Sequence, residues 1–329
     1  MTCNLKLTAI AVAASLLAQS AFAETWRMAT KMPVDSPEGK VFQAIADKTA
    51  EYSGGALEIQ VFPNEQLGKE DAVLEQLQSN VVQIYAEGFG FLKKWVPETS
   101  WFNAAFMFDD REHWSRFVNG EMGQAWFRKV EDAAGVTVLG DPTKILRGPY
   151  RVMVSGPAVK SIDDVSGLKL RMHPNQLAIA TWSHLGADVI TLPWTDVYQS
   201  IDTGLISAVN SPIALVESMR FNEVASHIAR TDEYHQSIGL MVNADALAAL
   251  DDKQREALMR AYDEAAELSV TLMQEATDKS MERMTSDGIV YTELDTAPFV
   301  ARMAEFYDDL EAKGELPEGF RAAVEAARQ

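Results

Sequence analysis

The sequence predicts an α/β protein made of two lobes around a cleft. Two separate stretches alternate strand-like and helix-like segments, and no low-complexity linker divides them. A long amphipathic tract follows the second stretch. Alternating strands and helices are typical of mostly parallel sheets. Ligands of open α/β sheets collect at the carboxyl ends of the strands, so we expect a site between the lobes.

The first 23 residues predict a secretory signal peptide. Lys6 precedes an apolar run at residues 7–18, and a small-x-small motif ends at Ala23. The run is too short for a permanent membrane anchor, and no later stretch is apolar for the length a membrane helix needs. Removing 23 of the 329 residues leaves 306, a length that favours two domains.

Composition narrows the possible functions. The only cysteine is Cys3, so the chain after the signal peptide has no thiol for disulfides, zinc–cysteine sites or nucleophilic catalysis. The formal net charge is −19, and it becomes −20 without the signal peptide, which contains one Lys and no acid. Such a charge favours solubility and repels nucleic acid.

The first α/β stretch has a helix with clear boundaries. Ser36-Pro37-Glu38 is a helix start signal, apolar residues recur through 41–46, and Gly54-Gly55 ends the pattern. Period-two alternation predicts strands on both sides of this helix. In chain order we predict strand, helix, strand, helix and strand at residues 25–30, 36–55, 56–63, 68–80 and 81–87.

A second α/β stretch begins near Gly148. It predicts strands at 151–156, 168–172, 187–193 and 205–212, with helical segments at 161–167, 176–186 and 194–204. Residues 251–284 then predict a long amphipathic helix rich in Met, which is better explained as adaptable core filler than as a metal or partner motif. The strand ends to inspect are Thr30-Lys31, Glu87, Arg171, Trp194 and Asn210-Ser211.

Catalytic and metal motifs are absent from the sequence. It has no Gly-x-Ser-x-Gly, His-Glu-x-x-His, Walker or Gly-x-Gly-x-x-Gly motif, and its five histidines lack ligand spacing. Adjacent acids such as Asp163-Asp164 suit loops and helix caps better than a glycosidase pair. We therefore expect no enzyme activity, no cofactor and no metal.

Arg171 is the strongest candidate for a binding residue. It ends the short strand in Gly167–Gln176, just before Pro174, where the strand should meet the cleft. A guanidinium binds a carboxylate through two parallel hydrogen bonds. Arg151 is a second candidate, and periodicity does not choose between it and Arg147. A surface arginine at a strand edge is the alternative explanation.

Three segments resemble the substrate-binding subunits of TRAP (tripartite ATP-independent periplasmic) transporters. They are residues 161–176, 185–212 and 61–84, where SIDDVSGLKLRMHPNQ and VFPNEQLG carry part of the likeness. The resemblance implies a two-lobed periplasmic binding protein fold with hinge strands and a long helix crossing both lobes. It places 24–148 plus about 237–276 in lobe 1, and 149–236 plus about 277–329 in lobe 2.

The resemblance also implies binding residues. Arg171 matches the family arginine that pairs with a substrate carboxylate, and Arg151 matches a more variable second arginine. The remaining matched positions are Trp194, Ser211, Asn210, Glu87 and Asn175. Residues 206–212 and Asp196 depart from the family pattern. Trp194 as core packing, and Glu87 as a hydrogen bonder between the lobes, are the structural alternatives.

The implied function is capture of a small organic acid for delivery to the membrane subunits of a TRAP transporter. Sugar acids, hydroxy acids, dicarboxylates and aromatic acids remain open as ligands. A zwitterion or small amine is an alternative, because Trp194 and Glu87 could host a cation. A periplasmic enzyme and the binding protein of an ATP-powered importer also remain open as functions. We expect a periplasmic monomer that does not bind nucleic acid.

Overall fold

The computed structural model describes residues 24–328, which form two β-sheets covered by helices. The predicted signal peptide, residues 1–23, lies outside the described residues. The strands are β1 (Glu24–Ala29), β2 (Leu57–Phe62), β3 (Ile84–Glu87), β4 (Val136–Val138), β5 (Arg151–Ser155), β6 (Lys169–Met172), β7 (Asp188–Thr191), β8 (Ala208–Pro212), β9 (His227–Arg230), β10 (Gly239–Asn243) and β11 (Val290–Glu293). The helices are α1 (Pro37–Ser53), α2 (Glu70–Gln78), α3 (Arg111–Asn119), α4 (Glu121–Ala134), α5 (Gln176–His184), α6 (Val197–Asp202), α7 (Ala244–Ala249), α8 (Asp252–Ser286), α9 (Ala297–Ala312) and α10 (Phe320–Ala326).

The first sheet has the order β2-β1-β3-β10-β4 and defines lobe 1. Its strands β1, β2 and β3 are parallel, as the alternation of strands and helices predicts. Strand β10 enters antiparallel between β3 and β4 after the chain has built the other sheet. Strands β4 and β10 were not predicted from the sequence, because neither belongs to a local strand–helix repeat.

The second sheet has the order β11-β9-β5-β8-β6-β7 and defines lobe 2. Strands β6, β7 and β8 are parallel, whereas β5 runs antiparallel to both of its neighbours. Four of these strands were predicted, and β9 and β11 were not. The parallel alignment brings the carboxyl ends of β6, β7 and β8 to one edge of the sheet.

Helix α1 begins and ends where the sequence predicts. The Ser36 hydroxyl accepts a hydrogen bond from the Gly39 amide (3.0 Å), and Pro37 occupies the first turn. Gly54 has φ +66° at the other end, a left-handed conformation that glycine adopts without a steric penalty. These local signals fix the length of the helix, and its buried face packs on α8.

The predicted long helix is α8, which has 35 residues and is about 52 Å long at 1.5 Å per residue. Asp251 and Gln254 form a capping box at its start, next to lobe 1. Near its end, Ser280 and Arg283 contact Glu217 of lobe 2. Helix α8 therefore contacts both lobes. Among residues 24–328, none of the helices combines the length and apolar character needed to cross a membrane.

Three connections join the lobes, namely β4 to β5, β9 to β10 and α8 to β11. Gly148, near which the second α/β stretch was predicted to begin, lies in the first connection and has φ +133°. A Cβ at this residue would lie 3.5 Å from the Cβ of Pro212 and 3.6 Å from that of Ala214. The backbone conformation therefore favours glycine here, and the chain can turn closely beside the end of β8.

The C-terminal segment belongs to both lobes. Strand β11 lies in the second sheet, but α10 packs on helices of lobe 1. The Phe320 ring lies 5.5 Å from that of Phe117 and 6.3 Å from that of Trp126. The assignment of all of 277–329 to lobe 2 is therefore wrong for α10, because Phe320 is buried in an aromatic cluster of lobe 1.

Candidate ligand-binding site

A small cavity of about 60 Å³ lies between the two sheets and receives side chains from both lobes. Five of the seven predicted site residues line it. They are Glu87, Arg151, Arg171, Trp194 and Asn210. The rest of the lining is Lys31, Met32, Gly88, Gly90, Phe91, Asn103, Arg147, Met172, His173, Pro212, Leu215, Glu233, Tyr234 and Gln236. The carboxyl ends of β3, β6 and β8 thus face the same cavity.

Arg171 extends from β6 into this cavity and is only 6% exposed. Its Nε donates to the Leu192 carbonyl at 2.9 Å, and its guanidinium lies 5.4 Å from the centre of the Trp194 ring. No Asp or Glu within residues 24–328 forms an ion pair with it. Burial lowers the pKa of Arg171 to about 10, because the cation loses water without gaining an adjacent carboxylate.

Arg147 lies in the β4–β5 connection and is paired with two buried acids of lobe 1. Its Nε contacts Glu38 at 2.9 Å, and its Nη1 contacts Glu87. Burial raises the pKa of Glu38 to about 7. Burial also opposes ionisation of Glu87, but Arg147 and Lys31 hold the pKa of that carboxyl at about 2. Two carboxylates therefore share one guanidinium, and Glu87 is the one held ionised.

Arg151, at the start of β5, also has a partner within the protein. Its Nε contacts Glu233 at 2.8 Å, and its Nη1 donates to the Gln236 side-chain oxygen at 3.0 Å. Its guanidinium lies 4.1 Å from the centre of the Tyr234 ring. Asn210 donates to the same Glu233 oxygen. Arg151 is thus held at the cavity wall by residues of the segment between β9 and β10, and Glu233 balances its charge.

Lys31 and Lys93 share the carboxylate of Glu70 on the lobe 1 side. The Lys31 Nζ lies 3.4 Å from Glu70 and 3.8 Å from Glu87, and the Lys93 Nζ lies 3.7 Å from Glu70. Both ammonium groups approach the Phe91 ring, at 4.0 and 5.0 Å from its centre. These contacts fix Phe91 at the cavity wall and neutralise part of the lysine charge.

His173 contributes a neutral side chain from lobe 2. It follows Arg171 by two residues, and its ring makes an edge contact with Phe91 of lobe 1 at 5.7 Å. Burial holds the pKa of His173 well below its usual range, and the nearby cations Arg171, Lys93 and Lys31 act in the same direction. An uncharged imidazole can both donate and accept a hydrogen bond in the cavity.

Three buried polar atoms of the lining residues have no hydrogen-bond partner among the described residues. They are Oε2 of Glu87, Oδ1 of Asn210 and Nε1 of Trp194. A buried polar atom without a partner costs about 1–3 kcal/mol. Two acceptors and one donor therefore remain for a bound molecule or water, in the same cavity as the Arg171 guanidinium.

Two of the predicted site residues do not line this cavity. The Ser211 hydroxyl donates to the Pro212 carbonyl at 2.9 Å, and alternation along β8 puts Asn210 on the cavity side instead. Asn175 caps α5 by accepting from the Ala178 amide at 3.2 Å, and it lines a separate small recess. Trp194 fits both explanations given for it, a binding residue and a packing residue, because it lines the cavity and also packs edge-on against Phe221.

Several lining residues carry no local signal in the amino-acid sequence. Asn103, Glu233, Tyr234 and Gln236 lie on irregular segments between helices and strands, where periodicity carries no signal. Lys31 was named in advance as a strand-end residue to inspect, because it follows β1. His173 could have been found from its spacing, because residues two apart in an extended segment point to the same side.

A second and larger cavity of about 630 Å³ opens on the hinge side. It shares Arg147, Arg151 and Tyr234 with the first cavity, but Arg171 and Trp194 do not line it. Of its other arginines, Arg230 pairs with Asp232 and Glu293. Arg111 has no carboxylate partner among the described residues, but it donates both of its Nη groups to backbone carbonyls, whereas Arg171 donates only its Nε. The smaller cavity is therefore the better candidate for an anion site.

Direct bonds between the lobes lie beside the cavity, around Thr195. The Lys69 ammonium donates to the Thr195 hydroxyl at 2.6 Å, and this hydroxyl donates to Glu65 at 2.8 Å. Lys69 also lies 3.0 Å from Glu65 and 3.6 Å from Asp196. Because Thr195 follows Trp194 directly, these contacts hold lobe 1 against the segment that carries the aromatic wall.

The fold and the enclosed polar cavity define a solute-binding protein. The family model of bacterial extracellular solute-binding proteins, family 7 (DctP), matches residues 28–313. The chain belongs to this family, which confirms the resemblance found in the sequence.

Relatives in the family carry names that describe binding. A solute-binding protein of Roseobacter denitrificans is 28% identical over 299 residues, which cover 90% of each chain. The C4-dicarboxylate-binding periplasmic protein DctP of Rhodobacter capsulatus is 26% identical, over 77% of this chain and 75% of its own. An ectoine/5-hydroxyectoine-binding periplasmic protein of Ruegeria pomeroyi is 25% identical, over 84% and 79%.

Solved structures of TRAP periplasmic solute-binding proteins have the same fold. One from Roseobacter denitrificans, with bound L-galactonate, is 25% identical with a TM-score of 0.80, over 94% of this chain and 100% of its own. One from Chromohalobacter salexigens, with bound D-glucuronate, is 25% identical with a TM-score of 0.82, over 92% and 99%. The predicted two-lobed binding-protein fold is confirmed.

Proposed function

We propose that this chain is the periplasmic solute-binding subunit of a TRAP transporter and that Arg171 binds the carboxylate of a hydroxylated organic acid. One observation carries the proposal, namely that Arg171 is buried at the cavity without a carboxylate among residues 24–328. A buried cation is costly unless it is paired, so the site is completed by an anion from outside.

The remaining polar atoms support a ligand with hydroxyl groups. Glu87 Oε2 and Asn210 Oδ1 require donors, and a hydroxyl group supplies one without adding charge. The relatives crystallised with L-galactonate and D-glucuronate bind acids of this kind. We therefore place sugar acids ahead of dicarboxylates and aromatic acids as ligands of this chain.

The contacts of Glu87 and Trp194 argue against a cationic ligand. Glu87 is already neutralised by Arg147 and Lys31, and a guanidinium, that of Arg171, lies 5.4 Å from the centre of the Trp194 ring. A ligand ammonium in this place would meet like charges. Binding without turnover, followed by delivery to TRAP membrane subunits, is the role that we propose.

A ligand screen followed by substitution of Arg171 tests the proposal. Thermal unfolding is measured with aldonates, uronates, hydroxy acids, dicarboxylates, aromatic acids and zwitterions. A ligand at 100 times its Kd should add about 2.7 kcal/mol to the free energy of unfolding. Product analysis of each hit tests for turnover, which would support the enzyme alternative.

Arg171→Ala should then raise the Kd of a ligand found in this screen by about two to three and a half powers of ten. This loss corresponds to the roughly 3–5 kcal/mol lost when a buried ion pair is broken. Arg171→Lys should also bind poorly, because a point charge does not replace the two parallel bonds. Arg302→Ala, at an exposed position of α9, is the control. Calorimetry that finds a loss below threefold for Arg171→Ala would exclude the proposed role.

A further inference from the structure

The charged groups around the cavity are connected in a way that limits the charge of the ligand. Six of them form a continuous series of ion pairs through lobe 1, in which cations and carboxylates alternate. We call this series the ion-pair chain, and it consists of Lys93, Glu70, Lys31, Glu87, Arg147 and Glu38. With three cations and three carboxylates, the ion-pair chain is neutral when all of its members are ionised.

The other charges near the cavity are balanced in pairs, with one exception. Arg151 is matched by Glu233, and Lys69 at the Thr195 contact is matched by Glu65. Asp196 also contacts Lys69, but its side chain is 55% exposed, so water screens its charge from the cavity. His173 and Tyr234, which also line the cavity, are uncharged at neutral pH because burial disfavours their ionised forms. The exception is Arg171, so the surroundings of the cavity carry one unbalanced positive charge.

We infer that the cavity accepts a single negative charge and selects monoanionic acids against dianions of the same size. The inference rests on the proposed role of Arg171. A first carboxylate neutralises Arg171, and a second one meets only cations that already have carboxylate partners. Oε2 of Glu87 lies 3.8 Å from the Lys31 ammonium and accepts no hydrogen bond among the described residues. A ligand hydroxyl group can donate to this oxygen, whereas a second ligand carboxylate has no proton to donate to it.

Matched ligands isolate this effect. An aldonate and the corresponding aldarate have the same number of carbons and differ in one terminal group, which is a hydroxymethyl in the first and a carboxylate in the second. Titration calorimetry at pH 8 compares galactonate with galactarate, gluconate with glucarate, and succinamate with succinate. We expect roughly 30- to 100-fold weaker binding of the dianion in each pair that binds, from Coulomb repulsion at an effective dielectric constant near 20.

Glu38→Gln tests whether the ion-pair chain causes this selectivity. Glu38 pairs with Arg147 but does not line the cavity, so the variant adds a positive charge without changing a lining side chain. At pH 8 the Glu38 carboxyl is mostly ionised, because its pKa is about 7. The preference for the monoanion should shrink roughly 5- to 20-fold. Glu70→Gln should act in the same direction from the partly exposed end of the chain, and exposed Glu58→Gln should leave the preference unchanged.

The wild-type measurement decides the inference even if a variant does not fold. Dianions that bind as tightly as their monoanionic partners, while Arg171→Ala abolishes both, would overturn it and leave the proposed function intact. A preference that Glu38→Gln and Glu70→Gln both leave unchanged would also overturn it. If no acid in the screen binds, or if binding does not need Arg171, the proposed function fails and the inference fails with it.

Discussion

Two regions of the same cleft differ in whether a buried arginine is paired with a carboxylate of the protein. At the hinge, Arg147 and Arg151 are 6% and 8% exposed, and each pairs with at least one carboxylate of the protein. At the end of β6, Arg171 is 6% exposed, but among the described residues its Nε donates only to a backbone carbonyl. The three arginines are buried to a similar extent and differ in their partners. The paired arginines stabilise the structure, whereas the charge of Arg171 is available to a ligand.

Paired and unpaired arginines allow one cavity to be both stable without ligand and able to bind an anion. The hinge arginines hold the lobes and the irregular β9–β10 segment through ion pairs that are complete without ligand. The lone guanidinium is held in place by the Leu192 carbonyl and the neighbouring Trp194 ring. Burial lowers its pKa only to about 10, so it remains charged at neutral pH and stays ready for an anion.

The largest expected contrast is in folding stability without ligand. Arg147→Met leaves Glu38 and Glu87 buried without their guanidinium and should lower the free energy of unfolding by about 3–5 kcal/mol. Arg171→Met removes a buried cation that has no carboxylate partner, and should leave this free energy unchanged or raise it. Guanidinium chloride unfolding of both variants measures the contrast. Equal destabilisation would show that Arg171 is also a structural charge.

The hinge region should also make stability depend on pH. The folded-state pKa of Glu38 is about 7, above its ordinary value of 4.5, because burial disfavours its charge. The folded protein therefore binds the Glu38 proton more tightly, and the Glu38 contribution to stability should fall by at most about 3 kcal/mol as pH rises from 4.5 through 7. Buried His173, whose pKa is lowered, contributes in the opposite direction. Glu87, with a pKa of about 2, contributes stability that is lost below pH 4.5, outside this window.

Glu38→Gln should remove the Glu38 contribution, so the variant should gain stability relative to wild type between pH 5 and pH 8. Unfolding free energies of wild type, Glu38→Gln and exposed Glu58→Gln at the two pH values provide the test. The Glu58 variant should keep the wild-type dependence. A Glu38 variant with the same pH dependence as wild type would mean that Glu38 does not contribute to it.

Next to the lone arginine, Trp194 should affect selectivity more than affinity. Trp194→Ala should weaken binding by about 1–3 kcal/mol, from lost apolar contact, and should change the ranking of ligands. Trp194→Phe should keep most of the affinity for carboxylates. If a ligand with an amine binds to wild type, this variant should lose that preference, because the indole face adds about 0.5–2 kcal/mol of cation–π attraction. Equal losses for every ligand in a titrated panel would instead mark Trp194 as a packing residue.

The smallest expected effect concerns closure of the lobes. Ligand should bring the lobes together about the connections near Gly148, and solution scattering should record a smaller radius of gyration. Thr195→Val removes two hydrogen bonds between the lobes and should weaken all ligands by about tenfold or less, without changing their ranking. Thr203→Val, which loses a bond only within its own segment, is the matched control. Scattering curves that do not change at saturating ligand would contradict closure.

Local sequence signals predicted much of the fold. The caps at Ser36 and Gly54 set the ends of α1, and period-two alternation located β1–β3 and β5–β8, because these signals depend on residues a few positions apart. The strands β4, β9, β10 and β11 were missed. They complete the two sheets through partners distant in the chain, so their hydrophobicity alone carried little information.

The amino-acid sequence alone places arginines near strand ends that face a cleft, and it identifies Arg171 as one of them. Which of Arg147, Arg151 and Arg171 lacks a carboxylate partner depends on the tertiary structure. Glu38 and Arg147 are 109 positions apart, Arg147 and Glu87 are 60 apart, and Arg151 and Glu233 are 82 apart. An ion pair depends on distance in space, and the folding of both sheets brings these distant charges together. The same folding leaves the Arg171 guanidinium without an acid among residues 24–328.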